Sequence, residues 1–417
     1  MTDPAFEATA SLRASDNDTA VKLSAESRPD GGTSERRRSR RIRIAAWGAV
    51  VAALAAVIAF SMRPSKTSTV RAVIEDPEIE VAIEGTEIVL GEAHTGKQVE
   101  VPVGEWPLEV RRKSLKFSTA PVNFSADESA EFQVRLDSGE VFVSQGTRVI
   151  GHSPLPPPPP AKAPFDSEKA RELQQEWALY LGQPVERIID LAGGEQLTMI
   201  LIPPGEFDMG SSIEEQQRFL EIARENDDKW DLEHIPDEGP QHRVVITKPF
   251  YLSKYETTQA QWEAVMEENK AAFRVNLSHP IEQVSWDDVN EFVRRMNFRN
   301  GVPGLKFMLP TEARWEYACR AGTTSTWACG DTEDRLTEVA WIKPNSRQQT
   351  HPVGELRPNA FGLYDMNGNV WEWCSDGYDP DYYSHSPTED PPGSTVGGER
   401  VTRGGGYNTG SDCIRAA

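Results

Sequence analysis

Polar and apolar positions divide this chain into stretches of different periodicity. Residues 1–43 are rich in Ser, Asp, Glu and Thr, show no apolar period and read as a disordered tail. Residues 44–62, Ile44 to Met62, then run IAAWGAVVAALAAVIAFSM without a charge. At roughly 1.5 Å per residue that run covers about 28 Å, which predicts a transmembrane helix. A cleaved signal peptide is the rival reading, but the preceding arginines start late and the apolar run is long for one. Over 68–150 the period becomes two, with Glu78–Ile83, Gln98–Val103, Glu131–Leu136 and Glu140–Val143 alternating between Gly- and Pro-bearing turns. That pattern predicts short half-buried strands in a small all-β, sandwich-like spacer. Within the linker 151–164, PLPPPPPAKAP is too proline-rich to pack and predicts a stiff polyproline II stalk, or a ligand for a proline-binding domain.

Beyond the stalk the apolar period lengthens. In a linking helix over 165–184, Asp166 or Ser167 can cap, Ala170, Leu173 and Trp177 share a face, and Gly182 stops the run. In 185–417, Thr198–Ile202 reads as a buried strand and Ile213–Asp237 as a charged surface insertion. Three amphipathic helices open there on hydroxyl residues. Thr258 precedes Trp262, Val265 and Met266. Ser285 forms a capping-box pattern with Asp288 ahead of Val289, Phe292, Val293 and Met296. Thr311 precedes Trp315, Ala318 and Cys319, and Gly322 closes the helix. A few strands with long Gly- and Pro-rich loops beside these helices predict an α+β domain.

Composition sharpens this picture. A net charge of −21 and a pI near 4.9 exclude nucleic acid as a partner, since such proteins present a basic face. Eight of the eleven tryptophans lie from Trp230 to Trp373, which puts the large packed core in the C-terminal half. Six arginines from Arg36 to Arg43 abut the apolar run and hold the N-terminus in the cytoplasm. The expectation is a single-pass membrane protein whose C-terminal domain lies outside the cytoplasm, in a bacterial periplasm. Cys319, Cys329, Cys374 and Cys413 form no CxxC pair and are too few for a disulfide scaffold.

Candidate chemistry centres on Asn359–Asp376, NAFGLYDMNGNVWEWCSD. Its Asn-Gly and Gly-Asn steps predict a tight turn, Asp365–Asn369, in a tryptophan-walled hairpin. Such a turn can aim Asp365, Glu372 and several carbonyls at one point, an oxygen shell suited to calcium, or can leave the carboxylates facing water. Glu256, Glu312 and Glu316 read as capping or pairing groups. Asp376, Asp379 and Asp381 beside Tyr378, Tyr382 and Tyr383 read as a solvated loop or a receiver of peptide or sugar.

Other pieces accompany this stretch: Ile202–Gly210 (IPPGEFDMG), Glu238–His242 (EGPQH), Tyr255–Thr258 (YETT), Leu309–Ala318 (LPTEARWEYA) and Arg403–Tyr407 (RGGGY). In this order they resemble the formylglycine-generating enzyme, or sulfatase-modifying factor, family. The resemblance implies a C-type lectin-like fold and, as the family activity, oxidation of a protein cysteine to formylglycine with copper(I) and oxygen. The spacer 68–150 loosely resembles PEGA-type domains.

The resemblance also implies site residues. Asp365, Gly368, Val370 and Glu372 fall on calcium ligands, Gly368 and Val370 through their carbonyls; a second calcium site has no match. Arg403, Gly405, Tyr407 and Thr409 fall on the substrate groove. Copper(I) needs a pair of thiolates, but Thr409 stands at the first cysteine position and only Cys413 remains near the second. The family domain is expected to continue past Ala417 to a closing Gly-Phe-Arg segment. Two functions therefore stand: a formylglycine-generating oxidoreductase acting through Cys413 on a protein or peptide such as a sulfatase, or an inactive lectin-like module binding a peptide or glycan. Loss of the first cysteine favours the second.

Overall fold

The computed structural model describes residues 67–126, 128–299, 306–396 and 398–417. The apolar run Ile44–Met62 and the tail before it lie outside the described residues. Among the described residues no helix is long and apolar enough to cross a membrane.

Alternating side chains build the first region. Thr67–Ile74 turns Val70, Ala72 and Ile74 inward, and Ser129–Asp137 does the same with Phe132 and Val134. A five-stranded sheet runs in the order Arg148–Pro154, Glu140–Gln145, Ser129–Asp137, Thr67–Ile74, Gln98–Pro102. Thr67–Ile74 and Ser129–Asp137 are parallel neighbours. A four-stranded sheet (Val89–Leu90, Glu80–Ile83, Leu108–Arg112, Leu115–Ser118) feeds Val81, Ile83, Leu108 and Val110 into the same core.

The proline-rich segment is a packed strap rather than a free stalk, which corrects the sequence expectation. Proline lacks an N–H but keeps its carbonyl, and the one Ala-Lys step supplies the missing donor. Ala161 donates to Pro204 O at 2.8 Å, and Ala161–Lys162 pairs in parallel with Gly205–Met209. Trp177 Nε1 donates to Pro159 O at 3.3 Å. Helix α1 (Ser167–Leu181) is capped by Asp166 and ends on left-handed Gly182. Its Leu179 and Tyr180 pack on the β core, and Lys113 pairs with Glu176.

The remaining region mixes α and β. One antiparallel sheet joins Glu186–Asp190, Gln196–Ile202 and Phe250–Ser253, and a second joins Gly205–Met209 to His242–Ile246. Among the described residues five helices follow α1: α2 (Ile213–Glu225), α3 (Lys229–His234), α4 (Gln259–Met266), α5 (Trp286–Arg299) and α6 (Glu312–Arg320). Thr258 and Gln261 close a reciprocal capping box on α4, Ser285 and Asp288 bond reciprocally ahead of α5, and Thr311 caps α6. Around buried Trp315 and Tyr317 of α6 gather Phe207, Phe361, Leu363 and Cys374.

The tryptophan-walled hairpin is not formed. Only Glu372–Gly377 is a strand, and its partner is Arg400–Arg403. The turn instead spends its polar groups on distant segments. Gly368 N donates to Gly404 O at 2.7 Å, Asn369 N to Trp341 O at 2.8 Å, and Gly354 N to Asp365 Oδ2 at 2.7 Å.

Candidate functional site

A cleft of about 840 Å³ is lined by the strand pair and by the insertion helix α3 and its flanking turn. Its aromatic walls include Trp230, Trp286, Trp371, Trp373, Tyr378 and Tyr382. Trp373 Nε1 donates to Val284 O and Trp286 Nε1 to Cys374 O, which fixes both rings. The Arg400 guanidinium lies 4.0 Å from the centre of the Trp286 ring. On α3, Trp230 is 56 % exposed and stacks on His234 at 4.2 Å.

Carboxylates line the same space. Asp237, Asp379, Glu399 and Asp412 have no ion-pair partner among the described residues. Two of the three lining arginines are already committed. Arg415 forms a bidentate pair with Glu238, and Arg403 bonds Glu316 Oε2 at 2.7 Å, Ala416 O at 2.6 Å and Glu312 Oε1 at 3.3 Å. Burial pushes the Glu312 carboxyl up to about 7, and burial with the Asp412 charge raises Asp231. The cleft is therefore aromatic and negatively charged.

The predicted groove residues do not converge on it. Arg403 lies at its wall, but its guanidinium serves the buried ion network. Gly405 is a left-handed turn residue (φ 73°) where a Cβ would come within 2.5 Å of Ile414. The Tyr407 ring meets Phe273 edge-on at 5.2 Å and does not line the cleft. Thr409 Oγ1 donates to Gly406 O at 2.8 Å and accepts from Gly406 N at 3.1 Å, so its hydroxyl closes on its own turn. Cys413 does line the cleft, and burial beside Asp412 and Asp231 pushes its thiol up to about 12. One thiol, with a threonine hydroxyl closed on its own turn at the other position, does not supply the paired thiolates that copper(I) selects.

The turn of Asp365–Glu372 fits a hard cation better. Asp365 is left-handed (φ 56°), and its buried Oδ1 has no hydrogen-bond partner among the described residues. Burial pushes Asp365 up to about 6 and Glu372 to about 7, and burial with these two charges raises Glu256 well above the carboxylate range. Among the described residues no three His, Cys, Asp or Glu side chains are placed to hold one metal ion. A cation there requires backbone carbonyls beside the two acids, as the carbonyls of Gly368 and Val370 would supply.

Three contributors were hidden in the sequence. Trp230 and Asp231 sit in what reads as a solvated insertion, where a lone tryptophan in a charged run was the available signal. Glu256 looks like a helix-start residue, yet its Oε1 accepts from Val370 N at 3.0 Å and its Oε2 from Asn369 Nδ2 at 2.6 Å. The expected pairing of Glu312 and Glu316 is present, in the Arg403 network.

Comparison with known proteins agrees with the motif order. Residues 192–417 match the family described as the sulfatase-modifying factor enzyme 1-like domain. The chain belongs to that family. A formylglycine-generating enzyme of Streptomyces coelicolor is 39 % identical over 143 residues, 31 % of this chain and 42 % of that enzyme. The chaperone protein LppX of Paenibacillus barcinonensis is 31 % identical over 210 residues, 39 % of this chain and 71 % of LppX. Among solved structures, Treponema denticola variable protein 1 overlays with a TM-score of 0.46 at 26 % identity, covering 56 % of this chain and 92 % of that one. The chain thus spans less than half of the Streptomyces formylglycine-generating enzyme it matches.

Proposed function

We propose that this member of the sulfatase-modifying factor family binds a partner protein without oxidising it, taking an extended Lys- or Arg-bearing segment into the aromatic cleft. The observation that carries this is Thr409, whose hydroxyl is closed on Gly406 where a copper(I) site needs a thiolate. The unpaired carboxylates favour a cationic peptide over a glycan, which would use the aromatic faces but gain little from the charge. A relative matched over 71 % of its length is named a chaperone, which suits engagement of a protein. The apolar run Ile44–Met62 anchors the chain, with the family domain outside the cytoplasm. Asp365 and Glu372, with the carbonyls of Gly368 and Val370, hold a structural calcium ion.

Calorimetric titration with Arg-bearing and Glu-bearing peptides of matched length tests the cleft. The Arg-bearing peptide is expected to bind more tightly, with affinity falling as salt rises. Equal binding of both peptides contradicts the reading. The rival oxidase reading rests on Cys413 opening into the cleft. With copper(I), oxygen, a thiol reductant and a cysteine peptide, mass spectrometry is expected to find the peptide unchanged. Conversion to the aldehyde, abolished by Cys413→Ala, would establish oxidation instead. Recovery of the full chain in the soluble fraction would refute the anchor.

A further inference from the structure

Asn369 is the point where the cation turn and the predicted groove segment meet. Fully buried and left-handed (φ 59°), it bonds four separate parts of the chain. Its N–H donates to Trp341 O at 2.8 Å, and its carbonyl accepts from Tyr407 N at 2.8 Å. Its Oδ1 accepts from His351 N at 3.0 Å, and its Nδ2 donates to Glu256 Oε2 at 2.6 Å. One residue earlier, Gly368 N donates to Gly404 O at 2.7 Å. The turn 365–372 and the segment 404–407 are thus tied by two backbone bonds, both from residues with positive φ. Glycine adopts such a conformation freely, but at Asn369 it persists only where the surroundings over-determine it.

Glu256 supplies that over-determination. It comes from a separate part of the chain, just ahead of α4, and grips Asn369 Nδ2 and Val370 N with one oxygen each. Val370 is also a residue whose carbonyl the calcium reading uses. A bidentate acceptor fixing two consecutive residues sets the plane of the peptide between them, and so the direction of neighbouring carbonyls.

We propose that Glu256 is a positioning residue: through Asn369 it fixes the cation turn and the Tyr407 backbone together, so that cation binding and the order of segment 404–409 are linked. The cation half of this rests on the calcium reading above; the backbone half does not. Linkage of this kind is reciprocal, and partners one step out from a metal cost about 10–100-fold in metal affinity when removed.

Glu256→Gln keeps the size but turns one acceptor into a donor facing a donor. Two measurements on the full chain read its effect, calcium titration by calorimetry and residue-resolved amide hydrogen exchange with and without calcium. The wild type is expected to gain protection at Tyr407 N–H on adding calcium. Glu256→Gln is expected to bind calcium at least about tenfold more weakly and to lose protection at Tyr407 and Gly368 more than at core amides such as Val244. Wild-type calcium affinity in the variant, or equal loss at Tyr407 and Val244, overturns the proposal. Should the wild type bind no calcium, the calcium reading fails by itself, and exchange at Tyr407 against Val244 without the ion decides the role of Glu256. Should Glu256→Gln not fold, Asn369→Ala, which keeps the peptide N–H of Val370 but removes the Nδ2 link, takes its place with the same readouts and the same overturning results.

Discussion

Asp365 has one oxygen held by Gly354 N and the other buried without a partner among the described residues. Its carboxyl is pushed up to about 6 by burial, and Glu372 to about 7. Unfolded carboxylates titrate near 4, so between about pH 4 and 7 the folded state retains protons that the unfolded chain has lost. Stability from these groups therefore falls as pH rises through that window and levels off above it. Calcium bound as proposed would take the place of the protons and offset the loss above pH 7. Thermal unfolding at pH 5 and 7.5, with chelator and with calcium, is expected to show a larger calcium shift at pH 7.5. Asp365→Asn should remove most of that shift; a variant with the full shift would place the ion elsewhere. The sequence reveals Asp365 and Glu372 because their spacing is local. It hides Glu256, 109 positions before Asp365 in the chain, because nothing near Glu256 marks it as a partner of that turn.

Helix α6 shows what sequence patterns carry at the scale of an element. Its hydroxyl cap and its buried stripe of Trp315, Ala318 and Cys319 are plain from spacing alone. Its charged residues are plain only as types. Glu316, 0 % exposed, bridges Arg320 and Arg403, joining the helix to the strand Arg400–Arg403. Removing one member of a buried ion network strands a charge, so Glu316→Ala is expected to cost about 3–5 kcal/mol in denaturant unfolding. A loss below about 1 kcal/mol would mean that water reaches the arginines. On α3, by contrast, Trp230 is a half-exposed wall of the cleft. Trp230→Ala is expected to weaken binding of the cationic peptide by about 1–2 kcal/mol with the melting temperature nearly unchanged. The hairpin expected at Asn359–Asp376 fails for the reason that hides Glu256. Turn residues look alike whether their backbone bonds a neighbouring strand or distant segments, and here they bond distant segments.

At the scale of the molecule, the β region and the family domain are packed together through α1 and the proline strap, which composition alone presents as a stalk. Prolines announce stiffness, but stiffness is equally useful in a segment laid against a surface. One close approach is at Gly139, left-handed at φ 79° in the turn between Ser129–Asp137 and Glu140–Gln145, where a Cβ would come within 2.1 Å of Tyr180 O. Gly139 O also accepts from Leu155 N at 2.8 Å at the start of the strap. Gly139→Ala therefore strains the turn and forces α1 away from the β core. The core of the family domain, around Trp315, contains no residue near this contact. Differential scanning calorimetry of the wild type is expected to show the two regions unfolding together, since Tyr180 packs both on the β core and in the cluster around Leu201. In Gly139→Ala the β region is expected to melt first, leaving a second transition close to the wild-type temperature. A single transition shifted as a whole would mean that the strap, not the Gly139 contact, carries the coupling, and that the family domain draws its stability from the β region it was expected merely to follow.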